Sequence, residues 1–184
     1  MLANKVGRVI VIMGAPNAGK DVQAARLATR LGAVHLSSGD LLRRENDPRL
    51  IGIMAKGGLV PSEDFERIVS QAIGAVPLEQ PIVLAGIAKK PGEAEWVLAE
   101  LPRLGRRLDR VVMLTIDREV SRQRSLQRGR HDDGPEVQDE RWARFFEETM
   151  RSIEIFRQAG LVVEVDGGGA PDDVTELVEQ ALAA

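Results

Sequence analysis

The segment RVIVIMGAPNAGKDVQAARL, residues 8–27, constrains the fold more than any other stretch of the chain. It begins with an apolar, β-branched run of strand length, Arg8 to Met13, and its second half has the apolar spacing of a helix. Between these halves lies a turn-rich loop in which Gly14, Gly19 and Lys20 fit the pattern G-x-x-x-x-G-K. The order strand, glycine-rich loop, helix predicts a loop whose backbone N–H groups converge on a phosphate.

This phosphate loop predicts a polyphosphate ligand. The helix that begins at Lys20 directs its positive dipole end toward the anion, and the Lys20 ammonium adds a full charge. An incidental glycine-rich turn is the alternative interpretation. The pattern departs from its usual form because Asp21 and Val22 follow the lysine, where Ser or Thr normally offers a hydroxyl to Mg²⁺. Unless Asp21 turns outward or binds Mg²⁺ through water, its charge should weaken nucleotide affinity.

Composition narrows the class of protein. The 184 residues, 43% of them hydrophobic, suffice for one core, and one α/β domain is the default expectation. Because no apolar run reaches membrane-spanning length and the first residues lack a signal-peptide core, we expect a soluble cytoplasmic protein without a membrane partner. A net charge of −3 and few aromatics argue against nucleic-acid binding. The absence of Cys excludes disulfides, thiolate nucleophiles and thiolate zinc sites.

Strand-like and helix-like segments alternate along the whole chain. After the first strand, further strands are predicted at residues 33–36, 81–85, 110–116 and 161–165. Helices are predicted between them, including residues 62–76, 93–101, 136–159 and 172–182. This alternation predicts a five-stranded parallel sheet with helices on both faces. In such a sheet the loops at the carboxyl ends of the strands face one crevice, where ligands bind.

Four segments, in order along the chain, carry recognisable motifs. They are GAPNAGKDVQA (14–24), HLSSGDLLR (35–43), GGLVPSED (57–64) and RQRSLQRGRHDD (122–133), the last followed by Arg141. The first is similar to GxPGxGKGTQA, the second to HISTGDMLR and the third to GxLVxDE, and the fourth looks like a segment of lid arginines. Together they resemble the adenylate kinase family of nucleoside monophosphate kinases over nearly the whole chain.

The resemblance implies a P-loop NTPase-type three-layer sandwich and transfer of the terminal phosphoryl group of Mg·ATP to a nucleoside monophosphate. Adenylate kinase activity, ATP and AMP to two ADP, is the first expectation. A kinase of another monophosphate such as GMP and a catalytically weak nucleotide-binding homologue are the alternatives. Mg²⁺ would accompany ATP, and a monomer is expected. One domain would have its core at 1–37, 77–128 and 136–184, an acceptor-binding segment at about 38–69 and a short lid at about 129–135.

The resemblance also implies a role for each basic residue, because a guanidinium fork can hold two phosphate oxygens. Arg43 and Lys89 would hold the acceptor phosphate, Arg124 the donor phosphates, and Arg130 and Arg141 the phosphoryl group in transfer. Together with Lys20, the residues Lys89, Arg124, Arg130 and Arg141 form the expected catalytic set. Donor-binding positions would be Gly14, Ala15, Asn17, Ala18, Gly19, Lys20, Asp21, Val22, Arg124, Arg128 and Gly168. Acceptor-binding positions would be Ser38, Arg43, Leu59, Val60, Gly86, Lys89, Glu93, Arg130 and Arg141.

The acceptor side departs from the family pattern. Where the family has D-G-F-P-R, this chain has AGIAK (85–89), so a carboxylate that orders the Mg²⁺ hydration shell is missing and Arg is replaced by Lys. We expect no direct metal ligand, and Asp40 is the best candidate to hold the metal's waters. Glu93 replaces a base-reading Gln, and an ionised carboxylate suits guanine N–H donors, whereas the Ser38 hydroxyl suits adenine. Taken singly, Ser38 or Asp40 would instead be a helix cap.

Overall fold

The computed structural model describes residues 6–128 and 134–183. The strands are β1 (Arg8–Gly14), β2 (Val34–Ser37), β3 (Ile82–Ala85), β4 (Arg107–Thr115) and β5 (Val162–Asp166). The α-helices are α1 (Lys20–Leu31), α2 (Ser38–Arg44), α3 (Pro48–Ala55), α4 (Ser62–Gly74), α5 (Pro91–Arg103), α6 (Arg118–Arg128), α7 (Pro135–Arg144), α8 (Met150–Gln158) and α9 (Pro171–Ala183). A π-helical segment, Phe145–Thr149, joins α7 to α8.

The strands in these ranges form one parallel sheet in the order β2-β3-β1-β4-β5. The prediction of a five-stranded parallel sheet is therefore confirmed. Consecutive residues of β1 after Arg8, and all of β3, are buried, which requires helices on both faces because successive side chains point to opposite sides. In a parallel sheet every strand ends at the same edge. The loops that follow β1, β2 and β3 consequently lie next to one another there.

Two glycines let the loops at this edge approach closely. A Cβ on Gly14 would lie 2.5 Å from the Leu114 carbonyl oxygen, so only glycine allows β1 to enter the phosphate loop directly beside β4. A Cβ on Gly167 would lie 2.9 Å from the Ala18 carbonyl oxygen. The loop after β5 therefore packs directly on the phosphate loop.

The helical prediction for residues 136–159 was wrong in one respect. The helical segments follow one another without a break, but the α-helix is interrupted by a π-helical turn at Phe145–Thr149, which inserts one extra residue between α7 and α8. Periodicity over a long window does not detect such an insertion. π-turns of this kind occur often at functional sites, and this one borders the cavity described below.

Smaller differences concern helix starts. α5 begins at Pro91 rather than at 93, since proline is well suited to the first helical position. The interpretation of Ser38 or Asp40 as a cap was wrong, because Ser37 is the N-cap of α2 and makes no side-chain capping bond. Within the ranges given above, no helix combines the length and apolarity that crossing a bilayer would require.

Candidate active site

The phosphate loop lies between β1 and α1 as predicted. Its turn is closed by a hydrogen bond from Ala18 N to Ala15 O, and α1 starts after Gly19, whose φ of 90° is left-handed. The Lys20 ammonium extends back along the loop and donates to the Ala15 carbonyl oxygen over 2.7 Å. A cation and the start of a helix thus meet at one point, which is the arrangement that binds a phosphate.

A cavity of about 310 Å³ opens from the phosphate loop toward the loops that follow β2 and β3. Its wall combines residues of the first three motifs with the loop after β3 and with Arg141 of α7. The predicted site residues on this wall are Gly14, Asn17, Lys20, Asp21, Ser38, Asp40, Arg43, Leu59, Gly86, Lys89 and Arg141. Residues that are more than 120 positions apart in sequence therefore contribute to one concave surface.

The cavity wall is basic. Its described cationic side chains are Lys20, Arg43, Lys89, Arg141 and Arg144, against the two carboxylates of Asp21 and Asp40. One of those carboxylates is already paired, since Asp40 Oδ1 lies 3.1 Å from Arg43 Nη1. The resulting excess of positive charge favours an anionic ligand that carries several charges.

Lys89 is held in the wall by the loop that follows β3. Ala88 has a left-handed backbone, with φ 53°, and its carbonyl oxygen accepts a hydrogen bond from Ser152 Oγ on α8. A Cβ on Gly86 would lie 4.0 Å from both Lys20 Cε and Lys89 Cε, so these two lysine stems converge over Gly86. Burial lowers the pKa of Lys89; the charges of Glu93 and Asp21 oppose this shift, and those of Arg141 and Arg43 add to it.

Ser38 and Glu93, both predicted to contact the acceptor base, differ in position. Ser38 Oγ lies on the cavity wall and donates to the Gly86 carbonyl oxygen over 2.7 Å. Glu93 is buried at the start of α5, where Oε2 accepts hydrogen bonds from Lys89 N (2.9 Å) and Lys90 N (3.3 Å). Burial raises the pKa of Glu93, against the opposing effect of these backbone donors. A contact with a base would require its carboxylate to leave these amides.

Arg124 contacts the loop after β5. Its Nη1 donates to Gly167 O over 2.8 Å, and its Nη2 donates to Gly168 O and Gly169 O, each over 3.0 Å. Because that loop packs on Ala18, Arg124 lies beside the phosphate loop but not on the cavity wall. Its predicted contact with donor phosphates stays a prediction.

The remaining predicted residues have simpler positions. Ala15 and Ala18 are buried within the phosphate loop, and Val22 is exposed on α1. Val60 is buried, and its carbonyl oxygen accepts a hydrogen bond from Lys90 Nζ, which ties Val60 to the start of α5. Arg130 and residues 129–133 of the predicted lid lie outside the described residues, and Arg128 is described only as the last residue of α6.

Four residues of the cavity wall that were not predicted as site residues lie outside segment 8–27, the three later motifs and the AGIAK loop: Met54, Arg144, Phe145 and Thr149. Arg144 Nη2 lies 2.6 Å from Glu140 Oε1, while its Nε is buried without a hydrogen-bond partner among the described residues. Phe145 and Thr149 are the first and last residues of the π-helical segment. No sequence signal marked it, although the three-residue spacing of Arg141 and Arg144 indicated a shared basic face.

A parallel sheet in this order, with a phosphate loop after its central strand and a basic cavity at the strand ends, defines a P-loop nucleoside monophosphate kinase. A family model described as adenylate kinase matches residues 12–161. The adenylate kinase of Micrococcus luteus is 36% identical over 183 residues, which cover 94% of this chain and 89% of that protein. The adenylate kinase of Synechococcus sp. is 36% identical over 180 residues, covering 95% and 98% of the two chains. The chain belongs to the adenylate kinase family.

Proposed function

We propose that this protein transfers the terminal phosphoryl group of Mg·ATP to AMP, reversibly, to give two molecules of ADP. The observation that carries this proposal is the single cavity whose wall unites Lys20 of the phosphate loop with Arg43, Lys89 and Arg141. Two anionic substrates must be brought together despite their mutual repulsion, and cations on opposing walls offset that repulsion. The family and its adenylate kinase relatives support the same reaction.

Each cation has a proposed task. Lys20 and the phosphate loop hold the β- and γ-phosphates of ATP, and Arg43 and Lys89 hold the phosphate of AMP. Arg141 contacts the phosphoryl group as its charge spreads over three oxygens in the transition state. Arg130 is proposed for the same task by family resemblance alone. Positioning and electrostatic stabilisation then account for catalysis without a covalent step on the protein.

The donor base belongs at the loop after β5 in this proposal. Arg124 already bonds the carbonyl oxygens of Gly167 and Gly168, so it can hold that loop beside the phosphate loop. Gly168 would offer backbone groups to the adenine edge. Arg128, at the end of α6, would lie over the adenine or its phosphates, as the family resemblance implies.

The carboxylates of the cavity wall could hold Mg²⁺ only through water molecules of its hydration shell. No group of three or more carboxylate or histidine side chains that could bind a metal occurs in the described ranges. Asp21 and Asp40 both line the cavity, and one or two carboxylates together with phosphate oxygens are the usual partners of Mg²⁺. We propose that Asp40 holds waters of the ion's hydration shell, with Asp21 as a second candidate. The ion would neutralise part of the phosphate charge.

AMP is preferred as the acceptor because of Ser38. Its hydroxyl proton is donated to Gly86 O, so the oxygen can accept a hydrogen bond from the adenine amino group. Glu93, whose carboxylate would favour guanine, is occupied by two backbone amides. Leu59 lines the cavity on the same side and would pack against the base, with Val60 and Gly86 as backbone neighbours.

An acceptor panel tests this proposal. ADP formation from ATP is followed with AMP, GMP, CMP or UMP, each with and without Mg²⁺. We expect Mg²⁺-dependent turnover that is fastest with AMP. Preference for GMP would change the acceptor but keep the reaction, whereas nucleotide binding without turnover on any acceptor would contradict the proposal. Sedimentation of the same sample tests whether the protein acts as a monomer, and fractionation of the source cell tests the expected cytoplasmic location.

A further inference from the structure

A buried polar network links the phosphate loop to α6 and α7. Asn17 Nδ2 lies 3.2 Å from Ser121 O, 3.3 Å from Ser121 Oγ and 3.0 Å from Gln138 Oε1. Ser121 Oγ donates to Pro16 O over 2.8 Å and accepts from Trp142 Nε1 over 3.2 Å. Ser121, Gln138 and Trp142 are all buried. Asn17 itself is half-buried, but its bonds are costly to lose because the buried groups on α6 and α7 would be left without water.

Asn17 is unusual for its position in the loop. It has a left-handed backbone, with φ 59°, and stands where the motif GxPGxGK has glycine. Glycine would adopt this conformation without strain, so the backbone does not require a side chain here. The asparagine amide instead adds contacts to two helices that a glycine cannot make.

The first two turns of α7 are fixed from both sides. On one side, Gln138 bonds Asn17 of the phosphate loop. On the other, a Cβ on Gly57 of the acceptor segment would lie 3.3 Å from Val137 O and 3.4 Å from Arg141 Cγ, so this segment lies directly against α7. Arg141, one turn after Gln138, lines the cavity between these two supports.

We propose that Asn17 and Gln138 are positioning residues that fix Arg141 relative to the phosphate loop through their side-chain hydrogen bond. The inference rests on the proposed function, because it assigns Arg141 to the phosphoryl group. If α7 loses its bond to the loop, the guanidinium is displaced from the position that matches the transferring group. Displacements of about 1 Å can cost up to ~10²-fold in rate.

Asn17→Gly and Gln138→Met test the proposal, each in the native background and in an Arg141→Met background. Asn17→Gly removes the amide without straining the backbone, and Gln138→Met keeps the side-chain length without the acceptor oxygen. With ATP and AMP, we expect each to lower kcat about tenfold and to leave KM for AMP within about threefold. In the Arg141→Met background, each should cost less than about twofold, because the group being positioned is gone.

Two further variants separate positioning from a structural effect. Gln158→Met makes the same substitution at an exposed site on α8 and should leave kcat unchanged. Gln138→Glu keeps an acceptor oxygen for Asn17 and should retain kcat within about threefold of the native enzyme, even if Asn17→Gly does not fold. Equal losses in both Arg141 backgrounds, unchanged kcat in Gln138→Met, or an equal loss in Gln138→Glu and Gln138→Met would each overturn the proposal.

Failure of the proposed function is distinguishable from failure of this inference. If the native protein transfers the phosphoryl group to no acceptor, the affinity for ADP is measured by calorimetry instead, for the same single and double variants of Asn17, Gln138 and Arg141. Weaker binding caused by Asn17→Gly only when Arg141 is present would still support the positioning of Arg141. Equal weakening with and without Arg141 would overturn it.

Discussion

The two sides of the cavity are stabilised by different kinds of contact. On the donor side, buried side chains of α6 and α7 form hydrogen bonds with the phosphate loop. Gly167 also packs so closely against this loop that a Cβ on it would lie 2.9 Å from the Ala18 carbonyl oxygen. On the acceptor side, segment 38–69 buries apolar side chains such as Leu50 and Phe65, but its charged contacts, including Arg43–Asp40 and Arg67–Glu45, are exposed and join residues of the segment to one another.

This difference predicts a rigid donor site and a movable acceptor segment. Exposed ion pairs contribute little stability, so the charged contacts of the acceptor segment resist its movement less than the buried hydrogen bonds of the donor side. A phosphoryl-transfer enzyme gains from both properties, because the donor phosphates must be oriented while the acceptor enters and leaves. The predictions below test this contrast.

The largest effect should come from the rigid side. Lys20→Ala removes the ammonium that we propose to contact the donor phosphates, so we expect kcat to fall by at least ~10²-fold with ATP and AMP. Arg103→Ala, which removes a cation from an exposed position on α5, serves as the matched control. A Lys20→Ala enzyme with native turnover would show that the phosphate loop is not the donor site.

Lys89→Met should affect the acceptor instead. Loss of a charge-assisted contact to the AMP phosphate is expected to raise KM for AMP about 10- to 100-fold and to leave KM for ATP within about threefold. Lys89→Arg should retain low KM for AMP, since its fork offers two donors. Initial rates measured while the concentrations of ATP and AMP are both varied give a separate KM for each substrate. An equal rise in both KM values would show that Lys89 does not act on the acceptor side alone.

The same lysine should make acceptor affinity sensitive to alkaline pH. Burial lowers the pKa of Lys89 below 10.5, so the ammonium is lost at lower pH than in an exposed lysine. KM for AMP should therefore rise by up to about tenfold per pH unit above that pKa.

The effect of Lys89 on stability has the opposite sign. Because the unfolded chain binds this proton more tightly than the folded one, the contribution of Lys89 to the free energy of unfolding increases with pH from the lowered pKa to 10.5. The Lys89→Arg enzyme should lack the rise in KM for AMP at alkaline pH. If the rise persists in this variant, a group other than Lys89 is responsible for it.

Gly167→Ala tests how tightly the donor side is packed. Its new Cβ would meet Ala18 O at 2.9 Å, and we expect a loss of about 1–3 kcal/mol in the free energy of unfolding. Gly169→Ala is the control, because its nearest neighbour would be at an ordinary 3.7 Å. Thermal unfolding of both variants measures the difference. Equal melting temperatures would contradict close packing of these loops.

The smallest effect is expected from the exposed acceptor segment. Arg67→Ala removes the pair with Glu45, whose side chains are 48% and 34% exposed. The change should alter the free energy of unfolding by less than about 1 kcal/mol, which chemical denaturation can measure. A larger loss would mean that this segment is as firmly held as the donor side.

The sequence predicted those features of the fold and the cavity that depend on short residue patterns and on the order of strands and helices. The phosphate loop needs fixed spacing of Gly14, Gly19 and Lys20, and the alternation of strands and helices allows few topologies. The positions of Ser38, Arg43 and Lys89 on one cavity wall followed from the rule that strand ends share an edge.

The sequence did not predict hydrogen bonds between residues that are distant along the chain. Arg124 bonds three carbonyl oxygens of the loop after β5, 43 to 45 residues away, and neither its type nor its spacing indicates this choice. The bonds of Glu93 to the amides of Lys89 and Lys90 are local, and a Glu at the third position of a helix is a pattern from which they could have been predicted. Phe145 and Thr149 were missed because the π-helical turn that contains them leaves no periodic signal, whereas Arg144 could have been found from its three-residue spacing to Arg141 on α7.

The most direct test of the central claim follows the phosphoryl group itself. ATP labelled in its terminal phosphoryl group is mixed with AMP, Mg²⁺ and the protein, and the products are separated. The account predicts that the label appears in the β-phosphate of ADP formed from AMP, and that Lys20→Ala abolishes the transfer. Label found only in inorganic phosphate, or retained in ATP that the protein binds, would contradict it.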